Sequence, residues 1–146
     1  MIFGEKGRTP ARKPQPVAHA VGCGIDIVEI ERFRRVLKRS GEAFLRRVFT
    51  PGERQYAQRH RQAVLHLAAR FAAKEAVIKA MAQVDPAHPL VVGDIEIQND
   101  ALGRPSARLR NRTRQPMICI SLSHVESVAV ATAIAQAERS RRRKTR

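Results

Sequence analysis

Hydrophobic spacing divides the chain into a helical first half and a β-rich second half. Residues 20–28 form a short apolar, β-branched run that predicts a buried strand. From Glu29 the period changes. Ile30, Phe33 and Leu37 share one helical face, with Arg32, Arg35 and Arg39 opposite. Ser40-Gly41 predicts the end of that helix, because glycine is a frequent stop. Thr50-Pro51-Gly52-Glu53 reads as a helix start, with Thr50 as cap, Pro51 in the first turn and Glu53 closing a capping box. A helical piece over residues 51–60 is expected, then a long helix over residues 63–82, ended by Asp85-Pro86. At roughly 100° per residue, Val64, Phe71 and Ile78 form an apolar ridge, and Ala68, Ala72, Glu75 and Lys79 an adjacent strip. The strip sets a carboxylate and an ammonium one turn apart, beside alanines too small to block access. It suits a metal or phosphate site, but taken alone it reads first as the ordinary i,i+4 ion pair of an amphipathic helix.

The second half changes period to two. Residues 94–98 and 106–110 alternate apolar and polar positions around the turn chemistry of residues 99–105, which predicts a hairpin. Residues 117–122 and 127–135 predict two further strands flanking Ser123-His124-Val125-Glu126. Helices followed by antiparallel strands indicate an α+β fold.

Composition adds the number of domains and the charge. A chain of 146 residues holds one domain with a proper core. Its net charge of +15 is unusual. Residues 1–16 and the Arg-rich residues 138–146 read as flexible basic tails on a domain over residues 17–137. That domain is still basic, so its partner should be acidic. Nucleic acid is the rival partner on charge alone. One Tyr and five Phe leave little for base stacking, so nothing beyond nonspecific tail contacts is expected.

Several chemistries are absent from the sequence: there is no P-loop, dinucleotide fingerprint, serine elbow or paired-cysteine zinc spacing. Cys23 and Cys119 lie in apolar runs and read as buried free thiols. No apolar run is long enough to span a bilayer, so no membrane partner and a soluble cytoplasmic protein are expected. Asp26 is the conspicuous polar residue, a carboxylate inside an apolar strand that needs a partner. It suits an N-cap for the following helix, or a ligand for a hard cation such as Mg²⁺. His60, His66 and His88 read as structural or surface residues.

Three separated segments decide between these readings. Gly24-Ile25-Asp26-Ile27-Val28-Glu29-Ile30, Arg70-Phe71-Ala72-Ala73-Lys74-Glu75-Ala76-Val77-Ile78-Lys79 and Ser121-Leu122-Ser123-His124 occur in this order. Together they closely resemble the holo-acyl-carrier-protein synthase type of 4′-phosphopantetheinyl transferase, over residues 21–135. The resemblance implies that family's fold, with N-terminal helices packed on an antiparallel sheet. It also implies Mg²⁺-dependent transfer of 4′-phosphopantetheine from coenzyme A to a serine of apo acyl carrier protein, in fatty acid biosynthesis. Adenosine 3′,5′-bisphosphate would be released.

Asp26 and Glu75 match the family's Mg²⁺ ligands, and Lys79 matches a lysine that approaches the phosphates. These three form the expected catalytic group. Gly103, Arg104 and Pro105, with Ser123 and His124, resemble parts of the coenzyme A pocket. Homotrimers with active sites at subunit interfaces are implied as well. An acidic carrier protein would give Arg32, Arg35 and Arg39 a purpose as a docking stripe, with Arg32 nearest Asp26. For the base that takes the serine proton, Glu75, Asp26 through a metal-bound water, and His124 all stand open.

Overall fold

Two glycines at alternate positions of the first strand decide how the molecule is stacked. A computed structural model describes residues 21–136, so both basic tails lie outside the described residues. The elements are β1 (Val21–Glu29), α1 (Ile30–Val48), α2 (Pro51–Gln58), α3 (Ala63–Val84), a 3-10 turn (Val92–Asp94), β2 (Ile95–Asn99), β3 (Pro105–Leu109), β4 (Met117–His124) and β5 (Val128–Gln136). The α+β expectation holds. β5 lies between β1 and β4 in one antiparallel sheet, and β2–β3 is a separate hairpin.

Gly22 and Gly24 face α3 across β1. A Cβ at Gly22 would lie 1.9 Å from the Ala80 carbonyl oxygen, and one at Gly24 2.0 Å from that of Ala76. Only glycine permits so close a backbone approach. α3 answers with Ala72, Ala73, Ala76 and Ala80, all fully buried. These alanines, with Ala68 of the same strip, are therefore the surface by which the helix is sealed into the core. α3 is enclosed on its other sides too, with Phe71 packed 5.7 Å from Phe33 and 6.3 Å from Phe44 between ring centroids. A helix apolar nearly all round belongs inside.

The expected helix end is found at Gly41, where helical geometry breaks at φ 49° and ψ −135°, but a second helical segment continues α1 to Val48. The resumed segment places Phe44 6.0 Å from Phe33, and Val48 is buried. The expected burial of the cysteines is corrected. Cys23 and Cys119 are free but exposed. With glycines required on the inner face of β1, the strand's alternation sends Val21, Cys23, Ile25 and Ile27 outward, and Cys119 shares that open face. Both thiols flank Ile134 of β5. Two strand spacings of roughly 4.8 Å put their Cα atoms too far apart for a disulfide.

The capping box at α2 is present. The Thr50 hydroxyl accepts from the Glu53 N–H at 3.2 Å, and the Glu53 carboxylate accepts from the Thr50 N–H at 2.8 Å. Glu53 does more than cap. It also accepts from the Ile97 N–H at 2.9 Å and from Lys74 Nζ at 2.7 Å, both charged side chains being fully enclosed. One carboxylate thus ties α2, α3 and β2 together.

Candidate active site

β1 carries Asp26 two residues beyond Gly24, on the face that looks toward α3. The glycine-backed contact brings the helix close, and Glu75 and Lys79 project one turn apart beside that strand. Lys79 Nζ donates to Asp26 Oδ1 at 2.8 Å and to the Ile25 carbonyl at 2.9 Å. The Asp26 side chain is 18% exposed and that of Lys79 51%. Lys79 therefore pairs with the strand carboxylate, not with Glu75 of its own helix. Asp26 does not cap α1 either. Glu29 occupies that position and makes no side-chain cap bond.

Burial, followed by the charge of Asp26, pushes the Glu75 carboxyl above the usual glutamate range, with Lys79 pulling the other way. Two carboxylates that repel each other, with one ammonium held between strand and helix, make a donor set suited to a divalent cation. Among the described residues no third His, Cys, Asp or Glu joins a cluster of metal-binding type. That arrangement fits Mg²⁺, which takes one or two carboxylates and completes its octahedron with water and substrate phosphates.

Asp26 lines a cavity of about 410 Å³ together with Val28, Phe33, Phe44 and Phe71, and with Glu29 and Arg32 as its other charged residues. Arg32, Arg35 and Arg39 are all exposed along α1. The expected docking stripe thus begins at the wall of this cavity.

A second cleft, of about 330 Å³, gathers Gly103, Ser123 and His124 with Tyr56, Arg70 and Asn99. Arg104 and Pro105 are not in its lining. Arg104 pairs with Asp100 at 2.7 Å across the turn, and Pro105 opens β3 opposite Asn99. His124 stands 5.4 Å from His66 between ring centroids, in this cleft and apart from Asp26 and Glu75.

The family model for the 4′-phosphopantetheinyl transferase superfamily matches residues 22–133. The chain belongs to this superfamily. It is an enzyme, a transferase of the holo-acyl-carrier-protein synthase type. The holo-[acyl-carrier-protein] synthase of Thermodesulfovibrio yellowstonii is 42% identical over 110 residues, covering 75% of this chain and 93% of its own. The corresponding protein of Protochlamydia amoebophila is 42% identical over 118 residues, covering 78% and 96%. Among solved structures, the Chronobacterium ammoniagenes ACPS–CoA complex superposes with a TM-score of 0.71 at 34% identity, covering 82% of this chain and 99% of that one.

For this phosphopantetheinyl transferase, reading the sequence missed Tyr56, His66, Arg70 and Asn99 as cleft residues. Arg70 had a usable signal, an arginine inside the apolar run Leu67-Ala68-Ala69-Arg70-Phe71-Ala72. His66 had none, since an isolated histidine on a helix carries no pattern.

Proposed function

We propose that this chain transfers 4′-phosphopantetheine from coenzyme A to a serine of an apo acyl carrier protein, with Mg²⁺, in fatty acid biosynthesis. The supporting observation is the pair Asp26 and Glu75, on strand and helix, with Lys79 bound to Asp26 at 2.8 Å. The C. ammoniagenes relative, solved as a coenzyme A complex, supports the donor. Asp26 and Glu75 hold the metal, which supplies charge neutralisation on the donor's pyrophosphate when bound. Lys79 turns from Asp26 to the phosphate oxygens as they arrive.

The serine oxygen forms a bond to the phosphorus that carries pantetheine, and the bond from that phosphorus to the bridging pyrophosphate oxygen breaks. The nucleotide leaves as adenosine 3′,5′-bisphosphate. Glu75, Asp26 and His124 are the acceptors open to the serine proton, with His124 standing in the other cleft. The remaining demands of phosphoryl-type transfer are position and charge. The apolar cavity beside Asp26 suits the pantetheine arm, and Arg32, Arg35 and Arg39 suit an acidic carrier surface approaching the same point.

A homotrimer accompanies this reading. The sheet face turned away from α3 exposes Ile25 (55%), Ile27 (65%), Met117 (60%) and Ile134 (52%), a contiguous apolar surface of the kind that copies of a chain cover. Free thiols at Cys23 and Cys119 fit a reducing compartment such as the cytoplasm. No helix among the described residues is long and apolar enough to cross a membrane.

The test is mass spectrometry of an apo acyl carrier protein incubated with the protein, coenzyme A and Mg²⁺. A mass gain equal to phosphopantetheine that disappears with chelator is expected. No gain would overturn the reading.

A further inference from the structure

Side chains of α3 fill the open edge of β1. That strand is the outermost of its sheet, so the backbone groups on its far side have no ladder partner. Gln83 takes those of Cys23. Its Oε1 accepts from the Cys23 N–H at 3.2 Å, and its Nε2 donates to the Cys23 carbonyl at 2.6 Å and to the Lys79 carbonyl at 3.1 Å. One turn earlier, Lys79 Nζ donates to the carbonyl of Ile25, the next residue of β1 whose backbone groups point the same way. Lys79 and Gln83 thus run beside β1 as a short side-chain ladder.

A carboxamide suits this place because it offers a donor and an acceptor side by side, as a peptide group does. Its partners dictate its orientation: reversed, it would turn its NH₂ toward the Cys23 N–H and its oxygen toward two carbonyls. The amide therefore grips one residue of β1. Sliding α3 along the strand by one residue, about 1.5 Å of rise, breaks both bonds to Cys23. The glycine contacts act differently. Gly22 against Ala80 and Gly24 against Ala76 fix how near the helix lies, but attraction between such small surfaces is non-directional. Where the helix sits along β1 needs directional bonds. That position matters because Asp26 lies three residues beyond Cys23, while Lys79 and Glu75 lie one and two turns before Gln83.

We propose that Gln83 is a positioning residue of the proposed metal site: by pairing with the edge of β1 it sets the axial register of α3, and so the spacing of Asp26 from Glu75 and Lys79 at which a divalent cation is held. Gln83 bonds to neither carboxylate and acts through Cys23 and the Lys79 backbone. The inference rests on the metal and transfer reading above and adds the residue that keeps its geometry. Groups that support metal ligands from behind are worth about 10- to 100-fold in metal affinity.

The test compares the full-chain wild type with Gln83→Met. The variant keeps the side chain's length and helix preference at an exposed position, and removes both hydrogen-bonding groups. Binding of Mn²⁺, which takes the same oxygen ligands as Mg²⁺, is followed with and without coenzyme A by loss of the free-ion electron paramagnetic resonance signal. Gln83→Met should weaken Mn²⁺ binding by about 10-fold or more and raise the Mg²⁺ needed for half-maximal transfer by a similar factor. The KM for carrier protein should not change, and the Cys23 amide should exchange faster by NMR. Unchanged Mn²⁺ affinity beside a faster Cys23 amide would overturn the proposal and leave Gln83 a cap on the strand edge. So would a uniform loss of metal, coenzyme A and carrier-protein affinity with a lowered Tm, the mark of general loosening. A wild type whose Mn²⁺ binding needs Gln83 but which transfers nothing would end the transferase reading and keep the positioning role. A wild type that binds no Mn²⁺ in either state would overturn both the metal site and the role of Gln83.

Discussion

Lys74 belongs to the motif that carries Glu75, yet its place in the structure makes it a support for the fold and not a participant in transfer. Its ammonium is fully enclosed, donating to Glu53 Oε2 at 2.7 Å and to the Val48 carbonyl at 2.5 Å, with the Phe49 ring 5.2 Å away. Burial lowers its pKa, and the Glu53 charge opposes that shift. Lys74→Met removes the cation and leaves a carboxylate enclosed with only the Thr50 and Ile97 N–H groups on it. Breaking one side of a buried pair costs about 3–5 kcal/mol. For an ordered domain of this size that is a fall in Tm of about 12–20 °C.

Glu53→Leu should cost at least as much, because it orphans two backbone donors as well as the ammonium. The double variant should fall short of the sum by about 1–3 kcal/mol, since neither charge is then left alone. Thermal and urea unfolding followed by circular dichroism at one fixed protein concentration would measure all three. Additive losses would refute the pairing. So would a Lys74→Met protein of unchanged Tm that had lost transferase activity, which would place the lysine at the chemistry instead.

The other expectations concern the site and its scaffold. Glu75→Gln should abolish phosphopantetheine transfer by mass spectrometry with the fold retained; full activity would remove Glu75 from the metal pair. The same variant tests its titration. A carboxyl whose folded pKa is raised stabilises the fold below its unfolded value and loses that contribution as pH rises through the folded value. In chelator, the wild-type Tm should therefore drop relative to Glu75→Gln from about pH 4.3 upward, and parallel curves would contradict this. Gly24→Ala places a methyl group 2.0 Å from the Ala76 carbonyl oxygen and should cost about 1–3 kcal/mol or more in urea unfolding while reducing activity. An unchanged midpoint would mean the strand and helix are not locked there. Arg32→Glu should weaken carrier-protein binding by about tenfold or more in surface plasmon resonance and leave coenzyme A affinity alone. Equal losses would argue against the docking stripe.

Local chemistry made much of this legible in the sequence. The capping residues at Thr50–Glu53 start α2 where expected, the turn residues between Asn99 and Pro105 form the hairpin, and helical spacing found α3. Asp26 stood out because a carboxylate is costly inside an apolar strand. What stayed hidden depends on contacts far apart in the chain. No local pattern says that β1 pairs with β5, or that Gly22 and Gly24 face α3 and so force the cysteines outward. Gly41 looked like a stop because its conformation does end helical geometry. Only the packing of Phe44 and Val48 explains why the helix resumes. The second cleft draws residues from α2, α3, β2 and β4, and a single sequence does not display that convergence.

The pairing of β1 with β5 has a consequence for the order of events during synthesis. Val21 lies opposite Gln136, and Asp26 opposite Ala131, so the strand with the first site carboxylate gains its ladder partner only after more than a hundred further residues have been made. α1, α2, α3 and the β2–β3 hairpin are all available to a nascent chain before that. Long-range strand pairing is the slow part of folding. The proposed transferase site should thus be completed at the last step of folding, and an interrupted chain lacking β5 would carry both carboxylates without the framework that brings them together.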